Sequence, residues 1–340
     1  AQAGQPDDGA AGRALCAQFN QVSGRADAGY QPGEIVAVKI NVNPVNSFAY
    51  QGNASFTSPL VVYALLLHLV SVAGLPASSI TVYDATRYVP DCIYDRCSVP
   101  DLAGVRFVNW VGGSVREMYQ RSADCQILWS GAVDGTPTYL PTCVVEADYL
   151  INLASLKGHN LAGVTLCAKN HLGTICADLK GEPSQQSPQG ANIHGHIAAH
   201  DFGWGNPEWT FSQQPMHTYN ALVDLMGHKH LGEKTLLFLL DALYVAHDQS
   251  SEVDGTCRWE SAPFGGGWTS SLFVSQDGVA IDSVGLDFLR SEPTIAAIED
   301  VMPAATTCEN YLHEAALAGG SPSGTAYDPV GEGSPCGSLG

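Results

Sequence analysis

The segment 148–175, DYLINLASLKGHNLAGVTLCAKNHLGTI, constrains this chain most. It opens on DYLINLA, an almost unbroken apolar run of strand length. Such a run fits a strand buried on both faces, and strands of that kind belong to parallel sheets covered by helices. The run then turns through Gly158 and presents Lys157 and His159. After AGVTLCA it presents Lys169, Asn170 and His171. Two cations and two imidazoles therefore follow the carboxyl end of a buried strand, where open α/β sheets place their ligands. Lysine is scarce: the chain has six in 340 residues, and two of them fall here.

The flanking sequence supports the same fold class. EIVAVKINVN (34–43) reads as a strand. TSP at 57–59 starts a helix that reaches about Ala73 and stops at Gly74. SSITVYDA is the next strand, with Asp84 at its carboxyl end, so strand, helix and strand form a parallel unit. VRFVNWV (105–111) and TLLFLLDALYVA (235–246) are further strands. Residues 217–228 and 294–318 read as helical, and 271–291 as a strand, a turn at Asp277-Gly278 and a helix. The expected class is α/β: a mostly parallel central sheet flanked by helices, with a β-rich insertion over 112–144, turning at Asp134-Gly135, and long surface loops. Residues 1–33 form a surface-wrapping segment with a short helix near 14–22, 34–318 a single domain, and 319–340 a Gly/Ser-rich tail.

Only 14% of residues are charged, and the net charge is −19. That balance disfavours nucleic acid and anionic membrane as partners. No apolar run reaches transmembrane length. Ten cysteines without a CxxC or CxxCH argue against c-type haem, zinc ribbons and iron–sulfur clusters. They point instead to disulfides in an exported protein, with Cys92 and Cys97 as a local pair and Cys16 and Cys336 pinning the tails. The opening AQAG fits an end left by cleavage at a small-residue site. No GxGxxG, P-loop or GxSxG occurs, so no nucleotide is expected as a cofactor.

Three groups of residues are candidates for chemistry. Lys157, His159, Lys169, Asn170 and His171 form a catalytic set. Its lysines suit a carboxylate or phosphate, and its neutral histidines suit proton transfer. The bland alternative is lysines that snorkel from the core and pair with acids. Lys39, Asn41 and Asn43 follow at period two and face one side of a strand end, from which Lys39 and Asn41 could meet that set as ligand-binding residues. Asp84, Asp241 and Asp282 join them from strand ends and turns. His194, His196, His200 and Asp201 form a metal-ligand set for zinc or another divalent ion, with both rings of the HxH on one face of an extended segment. The polar stretch 181–196 around it is a long functional loop.

Taken together, DYLINLASLKGHNLAGVTLCAKNHLGTI, VAVKINVNP, LLFLLDAL and SLFVSQDGVAIDSVGLDFL resemble the domain-of-unknown-function 362 family over about residues 34–290. The resemblance implies an α/β fold and includes exported members. Lys39, Asp148, Asn152, Lys157, His159, Lys169, Asn170 and Asp282 match its pattern. Some members carry a ferredoxin module, whose cysteine runs are missing here. Two functions are expected. One is an exported protein with a Lys/His site for a small anionic ligand and a divalent metal. The other is an extracellular subunit that assembles into a homo-oligomer, filament, tube or layer.

Overall fold

The computed structural model describes residues 7–25, 28–133, 137–177, 193–203, 210–296, 306–333 and Cys336. The turn expected at Asp134-Gly135 and most of the loop 181–196 lie outside them.

Helix α1 (Asp8–Val22) is capped by Asp7, whose side chain accepts from the Ala10 N–H. Strand β1 (Val36–Ile40) is buried at every position. Helix α2 (Pro59–Ser71) starts as expected, with the Ser58 hydroxyl accepting from Leu60 N–H and proline in the first turn. It buries Val62 and Leu66, one turn apart on one face. Strand β2 (Ile80–Tyr83) and helix α3 (Asp91–Cys97) follow. Strands β3 (Arg106–Asn109), β4 (Glu117–Met118), β5 (Arg121–Ile127) and β6 (Thr138–Pro141), with helix α4 (Thr142–Val145), fill the region expected to be β-rich.

The family-like segment then gives β7 (Tyr149–Ser155), β8 (Lys157–His159), β9 (Gly163–Thr165) and helix α5 (Cys167–Asn170). Beyond it come β10 (Cys176–Ala177), β11 (Phe202–Gly203), β12 (Thr210–Phe211), helix α6 (Ala221–Gly227) and β13 (Thr235–Ala242). The chain ends with β14 (Ser271–Ser275), α7 (Gly278–Arg290), α8 (Pro293–Ala296) and α9 (Asn310–Ala316).

Seven strands form the main sheet in the order β14-β13-β7-β1-β2-β3-β4. All neighbours run parallel except β13 and β14. Alternation along each strand separates two apolar layers. Val36, Val38, Ile40 and Ile151 pack with α1 and α2 on one face. Ala37, Leu150, Ala154 and Leu240 pack with α5, α6, α7 and α9 on the other. Each fully buried aliphatic side chain contributes ~1.5–3 kcal/mol, so this three-layer packing outweighs any single polar contact. The β-rich part is a three-stranded antiparallel sheet, β10-β6-β5.

No disulfide links the ten cysteines in this structure, and their placement does not bring the two expected pairs together. Cys16 lies in the layer under α1, and Cys336 lies in the layer on the opposite face of the sheet. Cys92 and Cys97 lie five residues apart on α3, and the helix turns one outward and the other inward.

Candidate anion-binding site

A buried polar chain runs beneath the carboxyl ends of β1, β2 and β7. Lys39 Nζ forms an ion pair with Asp84 Oδ2 at 2.9 Å and donates to the Ile40 carbonyl and to Asn170 Oδ1. Asn41 Nδ2 also donates to Asn170 Oδ1, at 3.3 Å. Asn170 Nδ2 donates to Asn152 Oδ1, and Asn152 Nδ2 donates to the Cys167 carbonyl and to His171 Nε2. The sequence therefore placed Lys39 and Asn41 against the Lys/His segment as the structure does. The chain leaves Asn170 and His171 committed to neighbours within the protein. Burial pushes the His171 pKa down to about 3, so its ring stays neutral. Gly173 permits this packing, since a Cβ there would lie 2.5 Å from Lys39 Nζ.

Helix α5 begins at Cys167 without a capping side chain of its own. Asp282, one helix away on α7, supplies it. Its Oδ1 accepts from Cys167 N–H at 2.8 Å and its Oδ2 from Ala168 N–H at 2.9 Å. The first N–H groups of a helix have no partner within the helix, so this carboxylate satisfies two of them from outside. Tyr311 on α9 donates to the same Oδ2. Burial raises the Asp282 pKa to about 6 against these hydrogen bonds. Asp282 thus fixes the turn that carries Lys169, and it does so without facing a ligand.

The cationic residues gather on the other side of that turn. Lys157 is fully buried, and its Nζ donates to the Ser55 carbonyl. Lys169 is partly buried, with no hydrogen bond or ion pair among the described residues. Burial first, then the neighbouring Lys169 charge, pulls Lys157 down to about 7, while the Asp248 charge opposes the shift. Burial first, then the Arg87 charge, pulls Lys169 down to about 7. His159 is held well below its ordinary value by burial and by the charges of Lys169, His194, Lys157 and His200. Its Nδ1 accepts from the N–H groups of Leu161 and Ala162, which places the proton of the neutral ring on Nε2. His194 is lowered to about 3 by burial and by Lys169 and Arg87.

Arg87 was not singled out from the sequence. It follows β2 directly in DATR, and its guanidinium is fixed by the carbonyls of Asn43 and Thr86 and by Asn43 Oδ1. Its position just past a parallel strand's carboxyl end was the available signal.

Polar atoms in this region that are buried without a hydrogen-bond partner include Asn41 Oδ1, Ser155 Oγ, Thr165 Oγ1 and His171 Nδ1. Thr165 is the register partner of Lys157 across β8 and β9, so their side chains share a face. Buried polar groups are almost always satisfied, so an orphaned hydroxyl on the face it shares with Lys157 is an unusual feature of this region.

The remaining candidates lie elsewhere or do other work. Asp241 accepts from Ser58 and Leu243 N–H groups and lines a separate cleft of about 390 Å³ with Tyr244 and Trp268. His194 and His196 lie on a 3-10 turn (Ile193–His196), which corrects the extended geometry expected for them. Their rings pack on Phe211 and Tyr219, and the His200 ring on Phe202. Asp201 Oδ1 accepts from Gln213 N–H. Among the described residues no group of three or more His, Cys, Asp or Glu could hold a metal ion, so these four do not assemble the expected ligand set. No helix among the described residues is long and apolar enough to cross a membrane.

No curated protein matches the chain. Among solved structures, the lactate racemase apoprotein from Thermoanaerobacterium thermosaccharolyticum is similar with a TM-score of 0.41 and 14% identity. The match covers 81% of this chain and 51% of that one, so this chain spans about half that protein's length. The model of the domain of unknown function DUF362 matches residues 36–287, which include the Lys39 chain, Lys157, Lys169 and Asp282. With well over half its length matched, the chain belongs to the DUF362 family.

Proposed function

We propose that the protein binds a small anionic ligand, a carboxylate or phosphate, at the cluster of Arg87, Lys157, His159 and Lys169. One observation carries this reading: two lysines are held near pKa 7, and among the described residues no carboxylate is bonded to either. An anion between them would restore both charges, and Ser155 Oγ and Thr165 Oγ1 would gain partners. A lysine titrating near neutrality also serves as a proton acceptor or donor for a bound acid, with His159 Nε2–H as a fixed donor. Titration calorimetry with oxalate and with sulfate tests the binding. Wild type is expected to bind at least one of them saturably, and Lys157→Met and Lys169→Met to weaken it about tenfold or more, as loss of a charged hydrogen bond does. Equal affinity in wild type and both variants would reject the site.

Assembly is the second reading, and the edge strand β14 supports it. Leu272 and Val274 are about half exposed there, on a strand without a charged side chain. Uncharged edge strands are templates for pairing with another chain.

A further inference from the structure

We infer a second binding site, for a free aliphatic carboxylate, on the face of the sheet opposite α5. A cleft of about 420 Å³ lies between α1, α2 and the sheet. Its walls include Leu65 and Leu69 from α2, Leu75, Ile151 from β7, and Leu236 and Leu237 from β13. The sequence of α1 explains why it stays open. The helix turns Ala11 and Gly12 toward the cleft. A Cβ added at Gly12 would meet nothing within 4 Å. Glycine inside a helix costs ~1 kcal/mol relative to alanine, so an apolar side chain here would both fill the cleft and strengthen the helix. The chain carries neither advantage, which fits a cleft kept open for an occupant.

The chemistry of the lining identifies that occupant. The walls are mostly aliphatic, with Tyr30, His68 and Tyr149 among them, which suits a hydrocarbon chain. Arg13 lines the cleft, exposed and without an ion-pair or hydrogen-bond partner among the described residues, and its Nη1 lies over Gly9, one turn back on α1. Asp8 lines the same cleft and forms no ion pair with it. A carboxylate at the end of the chain would pair with Arg13 in a fork geometry that an alcohol lacks. The strongly acidic surface disfavours docking on an anionic bilayer, so the acid would enter from solution.

Calorimetry with dodecanoate, 1-dodecanol and dodecyltrimethylammonium tests the site on the full chain. Dodecanoate is expected to bind one per chain, and decanoate about tenfold more weakly, from the loss of two buried methylenes. Gly12→Leu is expected to abolish dodecanoate binding while raising the melting temperature. Arg13→Ala is expected to weaken dodecanoate about tenfold and leave 1-dodecanol unchanged. Leu65→Trp, which fills the cleft from α2, guards against an effect peculiar to α1. The inference is overturned if dodecanoate does not bind saturably, if both filling variants bind it like wild type, or if the ammonium amphiphile binds as tightly as the acid. Binding of the chain to phosphatidylglycerol vesicles without binding of dodecanoate would also overturn it.

Discussion

At the scale of single residues, two kinds of lysine must be kept apart. Lys39 is a structural cation, paired with Asp84 and tied to Asn170. Lys39→Met should destabilise the protein by about 3–5 kcal/mol, because it leaves Asp84 buried and uncompensated. Urea unfolding should show that loss, and Lys39→Met with Asp84→Leu should recover much of it. Lys169 is the opposite case. Its folded value near 7 lies below its ordinary 10.5, so between those values the folded chain binds fewer protons than the unfolded one. Stability linked to this group is complete above about pH 10.5 and is lost as pH falls through 7. Lys169→Met should therefore be more stable than wild type, by on the order of 1–2 kcal/mol at pH 6, with the margin vanishing near pH 10. Denaturant midpoints across that range check it. A variant less stable than wild type at pH 6 would show that Lys169 has an internal partner.

At the scale of elements, the short helix α5 depends on its neighbours. Four residues cannot hold a helix alone, and its first two N–H groups rely on Asp282 from α7. Asp282→Ala should cost about 2–4 kcal/mol in chemical denaturation. It should also weaken anion binding by displacing Lys169, whereas Asp282→Asn should retain part of both. Much of this region was legible in the sequence. DYLINLA declared a buried strand, TSP started α2, and Asp277-Gly278 marked the start of α7, whose N-cap is Asp277. Period two in KINVN put Lys39 and Asn41 on the side that meets Asn170. Other features depended on distant contacts. Nothing local distinguishes Asp282 as a cap for a helix that starts more than a hundred residues earlier. The histidines at 194–200 share a local spacing with metal ligands, but tertiary packing turns their rings onto Phe211, Tyr219 and Phe202. Cysteine counts could not reveal that the sheet separates Cys16 from Cys336.

At the scale of the whole molecule, the two proposed sites differ in place and in chemistry. One lies at the carboxyl ends of its parallel strands and is cationic, and the other lies between α1 and α2 and is aliphatic. If β14 pairs with a second copy, Val274→Lys should shift the protein to monomer in light scattering at high concentration, since a charge at an edge opposes strand pairing. An unchanged mass would remove the edge strand from any account of assembly. The cationic site makes the sharper demand. Lys157 and Lys169 are each partly neutral near pH 7, so an anion that restores their charge must draw protons from solution. The most direct measurement is oxalate titration calorimetry at pH 7.5 in buffers of different ionisation enthalpy. The predicted result is net uptake of about one proton per oxalate bound, reduced in Lys169→Met. Binding with no proton uptake, or the same uptake in Lys169→Met, would contradict the account.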